Sequence, residues 1–395
     1  MSAKKLVAGL TLIAAGALHA QTPTVSGSFV STLGVDTEAV ERYTRTGDKL
    51  EGDVLLRYPR VRVLHYVADL GNGRFTGMSL VTRRVGVDPT TAPMFSMVTL
   101  MGDSTGTIEV QRGGKPDTTS GGKRSYHGRV SPAFPSEPPA YAIYEQLIAF
   151  NAPTNGDSVI VTTLAANPGP NNTISLMRRG RDSVIFNSSF SPGWIERASI
   201  DASGRITGVD ATATTIKTIT RRVTDLDFDA LARTWAAIEN ARGAAGQMSP
   251  PDTVRTIIGT SSVEIAYSRP FRRGRAIFGN VVPWNQVWRT GANAATQFTT
   301  TADLMFGNVV VPAGKYTLWT LPTPTGAKLI INRQTGQWGT EYDASRDLAR
   351  VDLNQLILAK PVDEFTISIV PQVAGGGLLR MQWDNREYSI PFRLR

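Results

Sequence analysis

From about Ser26 to Arg222 apolar and polar positions alternate in short runs, separated by Gly, Asn, Asp and Pro. Thr37–Arg45, Asp53–Tyr58, Val61–Asp69, Arg74–Arg84, Met94–Met101, Thr105–Arg112, Val159–Leu164, Thr173–Arg179 and Ser183–Phe186 carry this pattern. Each is rich in the β-branched and aromatic residues that suit a pleated, half-buried surface. Asn72-Gly73 and Ser203-Gly204 stand where tight hairpin turns need positive φ. The expectation is an up-and-down antiparallel sheet that must curl or close, a curved sheet or open barrel.

Two helices interrupt the alternation. Gly113 to Glu137 is a polar loop. It leads into a predicted helix over Pro139–Phe150, with Tyr141, Tyr144, Leu147 and Ile148 on one face. Asp225–Arg242 is predicted as an amphipathic helix flanking the sheet, with Phe228, Leu231, Trp235 and Ile238 at helical spacing. Gly243–Asp252, GAAGQMSPPD, has linker composition. Short strands then resume at Val263–Tyr267, Thr296–Thr301, Lys315–Thr320, Ala327–Asn332, Glu364–Val370, Leu378–Trp383 and Glu387–Arg393, predicting a β-sandwich. The predicted organisation is a leader at 1–20, a β domain with a C-terminal helix at 21–242, a linker at 243–252 and the sandwich at 253–395. The fold class is therefore mostly β, in two domains.

The first twenty residues have the form of a secretory signal. Lys4 and Lys5 precede an apolar stretch from Leu6 to Ala17, too short to span a bilayer, and Leu18-His19-Ala20 precedes Gln21 as a cleavage site. The expected location is periplasmic or extracellular. No later run is long and apolar enough to predict a transmembrane helix. Cysteine is absent, which excludes disulfides, a thiol nucleophile and Cys-ligated metal. The formal charge of +9 falls to +7 once Lys4 and Lys5 leave with the leader. Arginines cluster at Arg83-Arg84, Arg178–Arg181, Arg221-Arg222 and Arg269–Arg275. In an exported chain such charge suits anionic lipid or polysaccharide better than nucleic acid, and a plain solvated surface explains it as well.

Short motifs fail their structural contexts. Gly102-Asp103-Ser104-Thr105-Gly106 has the spacing of a nucleophile elbow, but the residues after it read as a strand instead of a helix. Ser120-Gly121-Gly122-Lys123 has an S-x-x-K spacing, and its two glycines oppose the helix that the motif needs. Asp225, Asp227 and Asp229 begin like a calcium loop, yet Ala230 and Ala236 stand where Gly and Glu are required. Helix capping explains those carboxylates better. His65 lies alone in a strand and His127 in the polar loop, with no metal-ligand spacing. No catalytic residue, metal or cofactor is expected.

From Val263 to Gly339 the chain sets Trp, Arg, Gly, Asn and Pro at uneven spacing between short strands. The segments are Tyr267-Ser268-Arg269-Pro270, Ile277-Phe278-Gly279, Val282-Pro283-Trp284, Val287-Trp288-Arg289-Thr290-Gly291-Ala292-Asn293, Pro312-Ala313-Gly314, Tyr316-Thr317-Leu318 and Gln337-Trp338-Gly339. In order and wording they resemble a bacterial exported family classed as domain of unknown function 2911. The resemblance supports the β fold and the compartment and brings no reaction with it. Within it Arg269, Arg289, Asn293 and Trp338 are the candidate ligand-binding residues. Arg and Asn donors beside tryptophans suit a carboxylate, phosphate or sugar. The same side chains also suit the internal bonding that any long loop needs. The expected function is a binding protein with a lipid, anionic or carbohydrate ligand or an envelope protein as partner. The alternatives are a carrier that holds a lipid or other apolar ligand in the first sheet and a hydrolase acting on envelope material through Ser104 or a carboxylate pair. In a further alternative the Arg269–Arg275 turn contacts another envelope protein.

Overall fold

The computed structural model describes residues 23–88, 90–120, 122–131, 140–151, 153–163, 172–189, 193–373 and 375–395. The leader, Gly121 of the S-x-x-K spacing and the expected helix start at Pro139 lie outside them.

Nine strands precede the first helix: β1 (Thr24–Leu33), β2 (Asp36–Thr46), β3 (Lys49–Leu56), β4 (Arg62–Gly71), β5 (Arg74–Arg84), β6 (Phe95–Met101), β7 (Thr105–Arg112), β8 (Lys115–Pro116) and β9 (Lys123–His127). Six follow helix α1 (Tyr141–Asn151): β10 (Ser158–Thr163), β11 (Asn172–Arg179), β12 (Ser183–Ser188), β13 (Trp194–Ile200), β14 (Ile206–Asp210) and β15 (Ile219–Val223). Each set is an antiparallel meander. β15 pairs with β1, so the two meanders fuse into one fifteen-stranded sheet. The turn between β4 and β5 uses Asn72 and Gly73 with φ of 51° and 67°, as the sequence predicted. Among the described residues the ends of the sheet meet through a single bridge between Ser131 and Thr163, so the sheet is curved and no closed barrel forms.

Curvature follows from what α1 touches. Tyr144 packs edge-on against Phe186 of β12 at 4.9 Å, and Phe150 against Phe75 of β5 at 5.4 Å. Those strands are eight steps apart in the sheet, which is about 38 Å if the sheet were flat. A helix with its side chains is only about 10–12 Å across. The sheet must therefore wrap the helix. The predicted single apolar face of α1 is accordingly exceeded, since every residue from Tyr141 to Ile148 is buried, Glu145 and Gln146 included.

Burying polar groups here requires partners. Glu41 of β2 accepts from the free backbone N–H groups of Tyr141 (2.7 Å) and Ala142 (3.3 Å) at the helix start, and from the Tyr66 hydroxyl (2.6 Å). Glu145, on the helix, accepts from the Tyr43 hydroxyl (2.6 Å) and the Ile206 N–H (2.7 Å), and pairs with Arg222. Arg222 lies 4.4 Å over the Phe29 ring, and its Nε donates to the Ile206 carbonyl. Gln146 accepts from Arg45 at 2.6 Å.

Helix α2 (Phe228–Arg242) covers the opposite face of β2 and β3. Asp227 caps it by accepting from the Ala230 N–H at 2.8 Å, the role expected of that carboxylate run. Phe228, Ala232 and Trp235 pack on Val40, Leu55 and Val61, with Leu231 beside them. Ile238, expected on the apolar stripe, is 43% exposed. The buried stripe is narrower than its spacing implied, ending at Trp235.

The second sheet has nine strands: β16 (Pro251–Ile258), β17 (Ser261–Ser268), β18 (Thr296–Thr300), β19 (Leu304–Phe306), β20 (Val309–Val311), β21 (Gly314–Thr323), β22 (Gly326–Asn332), β23 (Asp347–Gln372) and β24 (Gly376–Leu394). β16 begins inside the stretch assigned to the linker. β23 and β24 are long, with register shifts near Ile357, Val362 and Thr366. Irregularities of this kind bend strands. The bend folds the sheet onto itself around Val263, Ile265, Phe298, Phe365, Ile367 and Trp383. The Ile367 N–H donates to the Tyr267 hydroxyl across the two layers at 2.9 Å.

The two sheets touch where the β1–β2 turn meets the loop after β17. The Val35 N–H donates to the Arg273 carbonyl at 3.1 Å, and Arg273 pairs with Asp36 and donates to the Tyr58 hydroxyl at 2.7 Å. Gly34 has φ of 62°, and a Cβ there would lie 2.1 Å from the Arg273 carbonyl oxygen, so the contact requires glycine.

Two stability outcomes are expected. Glu145→Ala leaves Arg222 buried without its counter-charge and should lower unfolding free energy by about 3–5 kcal/mol in urea titrations. Burial also pushes the Glu41 and Glu196 carboxyls up to about 7. The folded state then holds protons that the unfolded chain releases near pH 4.5, so stability should fall as pH rises from about 4.5 to about 7. Glu196→Gln should flatten that slope in denaturation midpoints measured across the range; an unchanged slope would show that Glu196 is not its source.

Candidate functional site

The loop between β17 and β18 is held at both ends. Trp288 exchanges backbone hydrogen bonds with Thr320 at 2.8 and 2.9 Å. Its ring stacks on Trp383 at 5.7 Å and meets Phe365 edge-on at 5.1 Å. Thr290 is fully buried, and its carbonyl accepts from the Thr296 hydroxyl at 2.8 Å. Further on, the Asn293 carbonyl accepts from the Gly339 N–H at 3.0 Å, and Ala294 bridges to Trp338. Between these anchors the Arg289 side chain lies across Gly339, where a Cβ would come within 2.2 Å of Arg289 Cδ. Glycine at 339 is thus what lets Arg289 take its place.

Arg289 lines a cleft of about 490 Å³ between the two sheets. That volume is in the range of small-molecule sites. The second half of the chain contributes Phe271, Arg273, Arg275, Trp288, Arg289 and Asn293. The first half contributes Leu33, Trp194 and Lys217, and Gln247, Met248 and Ser249 of the connecting segment close one side. Four cations line the cleft, and no carboxylate does so among the described residues.

The cations differ in what satisfies them. Arg273 is paired with Asp36. Arg275 donates to the carbonyls of Arg272 (3.0 Å) and Phe271 (2.6 Å). Lys217 donates to the Thr212 carbonyl at 3.1 Å. The Nε atoms of Arg273 and Arg289 are both enclosed without a hydrogen bond among the described residues, and Arg289, unlike Arg273, has no other partner among them. Burial lowers the pKa of Arg289. Burial, then the charges of Arg289 and Arg275, lower that of Lys217. Behind Arg273 and Arg275, burial pushes the Glu38 carboxyl up to about 7 against the pull of both guanidiniums.

The backbone is strained at the same place. Seven non-glycine residues have positive φ among the described residues, and Lys217 (55°), Arg273 (50°) and Asn293 (60°), three of them, line the cleft. Thr290, next to Arg289, is a fourth at 54°, where a β-branched residue is a true outlier. Each such residue costs on the order of 1–3 kcal/mol, and such strain gathers at functional sites.

Of the candidates taken from the sequence, the structure brings Arg289 and Asn293 into the cleft. Arg269 lies outside its lining, paired with Glu364 (3.0 Å) and Asp252 (3.3 Å). Trp338 is 45% exposed and also outside it, its N–H donating to Glu341. Lys217, Trp194, Arg273 and Arg275 were not among the candidates. The basic run 269–275 was visible, whereas Lys217 has no local signal, since only the packing of the sheets brings it near. Ser104 is exposed in the β6–β7 hairpin, away from the cleft. His65 bonds Asp53 at 2.9 Å. Among the described residues no group of three or more His, Asp or Glu is arranged to hold a metal, and no helix is long and apolar enough to cross a membrane.

An enclosed Nε without an acceptor destabilises the ligand-free protein. Arg289→Met keeps the aliphatic packing on Gly339 and should raise ligand-free stability by about 1–3 kcal/mol, read as a higher Tm. A lower Tm would mean that Arg289 is satisfied in solution.

No curated protein matches the chain. Among solved structures, a DUF1089 family protein from Pseudomonas aeruginosa is 12% identical, with a TM-score of 0.32, covering 44% of this chain and 90% of that chain. Residues 249–392, the C-terminal region whose motifs carry the resemblance, match the family described as protein of unknown function (DUF2911).

Proposed function

We propose that this protein is an exported binding protein that holds an anionic ligand in the cleft between its two sheets and carries out no reaction on it. The unpartnered, half-buried guanidinium of Arg289 carries this reading. Removing a charge from water without a partner is unfavourable, and an arriving anion supplies the missing acceptor. Guanidinium groups stay protonated and offer only donors, which suits holding an anion better than moving protons. The Lys4-Lys5 start and the apolar stretch from Leu6 to Ala17 support export, to the periplasm or beyond. The carrier and hydrolase alternatives lack an observation of equal weight. A carrier would need α1 to leave the concave face, and Ser104 stands on an exposed turn.

Thermal melts of the full chain against phosphate, sulfate and citrate, each with sodium chloride at matched ionic strength, test the proposal. Binding to the folded state at a hundred times Kd should stabilise it by about 2.7 kcal/mol. Arg289→Ala should abolish the shift for every anion. Equal shifts in the variant and the parent would sink the reading. Edman sequencing of protein recovered after export should begin at Gln21; an intact Met1 would remove the export half.

A further inference from the structure

We infer that the anionic group held in the cleft is a phosphomonoester-type dianion gripped jointly by Arg289, Lys217 and Arg275. This rests on the anion-binding reading and concerns which anion is bound.

The charge balance of the cleft points to two negative charges on one group. Lys217, Arg273, Arg275 and Arg289 supply four positive charges. The carboxylates that act on them are Asp36, paired with Arg273, Asp363, which acts on Arg275, and the buried Glu38. With Glu38 left out of the count, since burial pushes it up to about 7, two positive charges remain uncompensated. A carboxylate ligand would leave one of these still unbalanced in half-buried surroundings. A phosphomonoester carries about −1.5 to −2 near neutral pH and presents three strong acceptor oxygens.

Donor geometry agrees with that count. Arg289 makes no hydrogen bond or ion pair among the described residues, and its Nη1 and Nη2, unlike the enclosed Nε, are open to a ligand in the cleft. Lys217 Nζ has spent one of its three donors, on the Thr212 carbonyl. Arg275 has spent Nε and Nη2 on carbonyls and retains Nη1. All three side chains line the one cleft, and Lys217 feels the charges of both Arg289 and Arg275. Trp194, Phe271 and Trp288 stand beside them as a surface for the uncharged remainder of the ligand. That remainder belongs either to a lipid whose headgroup is a phosphomonoester or to a soluble phosphate ester.

Calorimetric titration of the full chain with acetate, inorganic phosphate and glycerol phosphate at matched ionic strength tests the inference. A second arm co-sediments the chain with phosphatidylcholine vesicles with and without phosphatidic acid. The phosphates should bind at least about tenfold more tightly than acetate, and Lys217→Ala should weaken phosphate about tenfold while changing acetate far less. Binding confined to phosphatidic acid vesicles identifies a membrane phosphate, and binding of glycerol phosphate identifies a soluble one; either supports the inference. Acetate binding as tightly as phosphate, still dependent on Arg289, overturns the dianion and leaves the anion reading standing. Binding of no probe, or binding indifferent to Arg289→Ala, overturns both. Arg289→Lys, which keeps the charge and loses the planar fork, controls for folding and should retain the parent's melting profile while weakening phosphate.

Discussion

The fold depends on two carboxylates that hold a helix inside a sheet. Glu41 reaches from β2 to the free N–H groups at the start of α1, and Glu145 reaches from α1 back to Tyr43, Ile206 and Arg222. Without these bonds a helix carrying Glu145 and Gln146 could not be enclosed, because buried polar groups left unpaired are too costly. With them, one helix ties strands from both meanders. The fifteen-stranded sheet then has a reason to curl and a filler for the space it encloses. The burial that encloses the ties also raises the Glu41 pKa to about 7, against the pull of the bonds themselves, so ionising Glu41 costs stability as pH rises toward that value.

β2 carries the effect of that constraint to the cleft. Its inner face holds Ala39, Glu41 and Tyr43 against α1, and its outer face presents Val40 to α2. Burial on both faces leaves the strand little freedom. Its first residue, Asp36, pairs with Arg273, and the turn before it bonds the Arg273 backbone. The position of the basic loop is thus inherited from the packing of a helix in the other half of the chain. Left-handed Arg273, Thr290 and Asn293 and the unsatisfied Arg289 are all unfavourable locally. Packing elsewhere offsets them, as with the Trp288–Trp383–Phe365 stack beneath the loop.

Alternation made most of the strands legible, because a half-buried strand writes its period directly into the sequence. Arg74–Arg84 and Thr105–Arg112 match the observed elements at both ends. Legibility failed where two local rules met. Pro251 opens β16 although its neighbours have linker composition, since a strand's first residue on a sheet edge tolerates proline. Leu378–Trp383 and Glu387–Arg393 are one bent strand, and Asp384 between them has φ of 50°, so the Asp-Asn pair that reads as a turn is a kink inside the strand. The site divided in the same way. Arg289 and Asn293 stood out by wording, and Arg269 stood out equally although it is spent on Glu364 and Asp252. Nothing local separates an arginine that finds a carboxylate from one that does not, because the nearer partner of Arg269, Glu364, lies on a strand about a hundred residues on in sequence.

The cleft also sets a limit on what a family match confined to residues 249–392 can describe. That region supplies Arg275, Arg289 and Asn293, one wall of the site. Lys217, Trp194 and Leu33 come from the other sheet, and Gln247 and Met248 from just before the matched residues. Three of the four cations of the cleft stand in the matched region, and the other sheet adds Lys217. The enclosure of Arg289 against Gly339 is a property of the matched region, and the cleft that it lines is a property of the two sheets together.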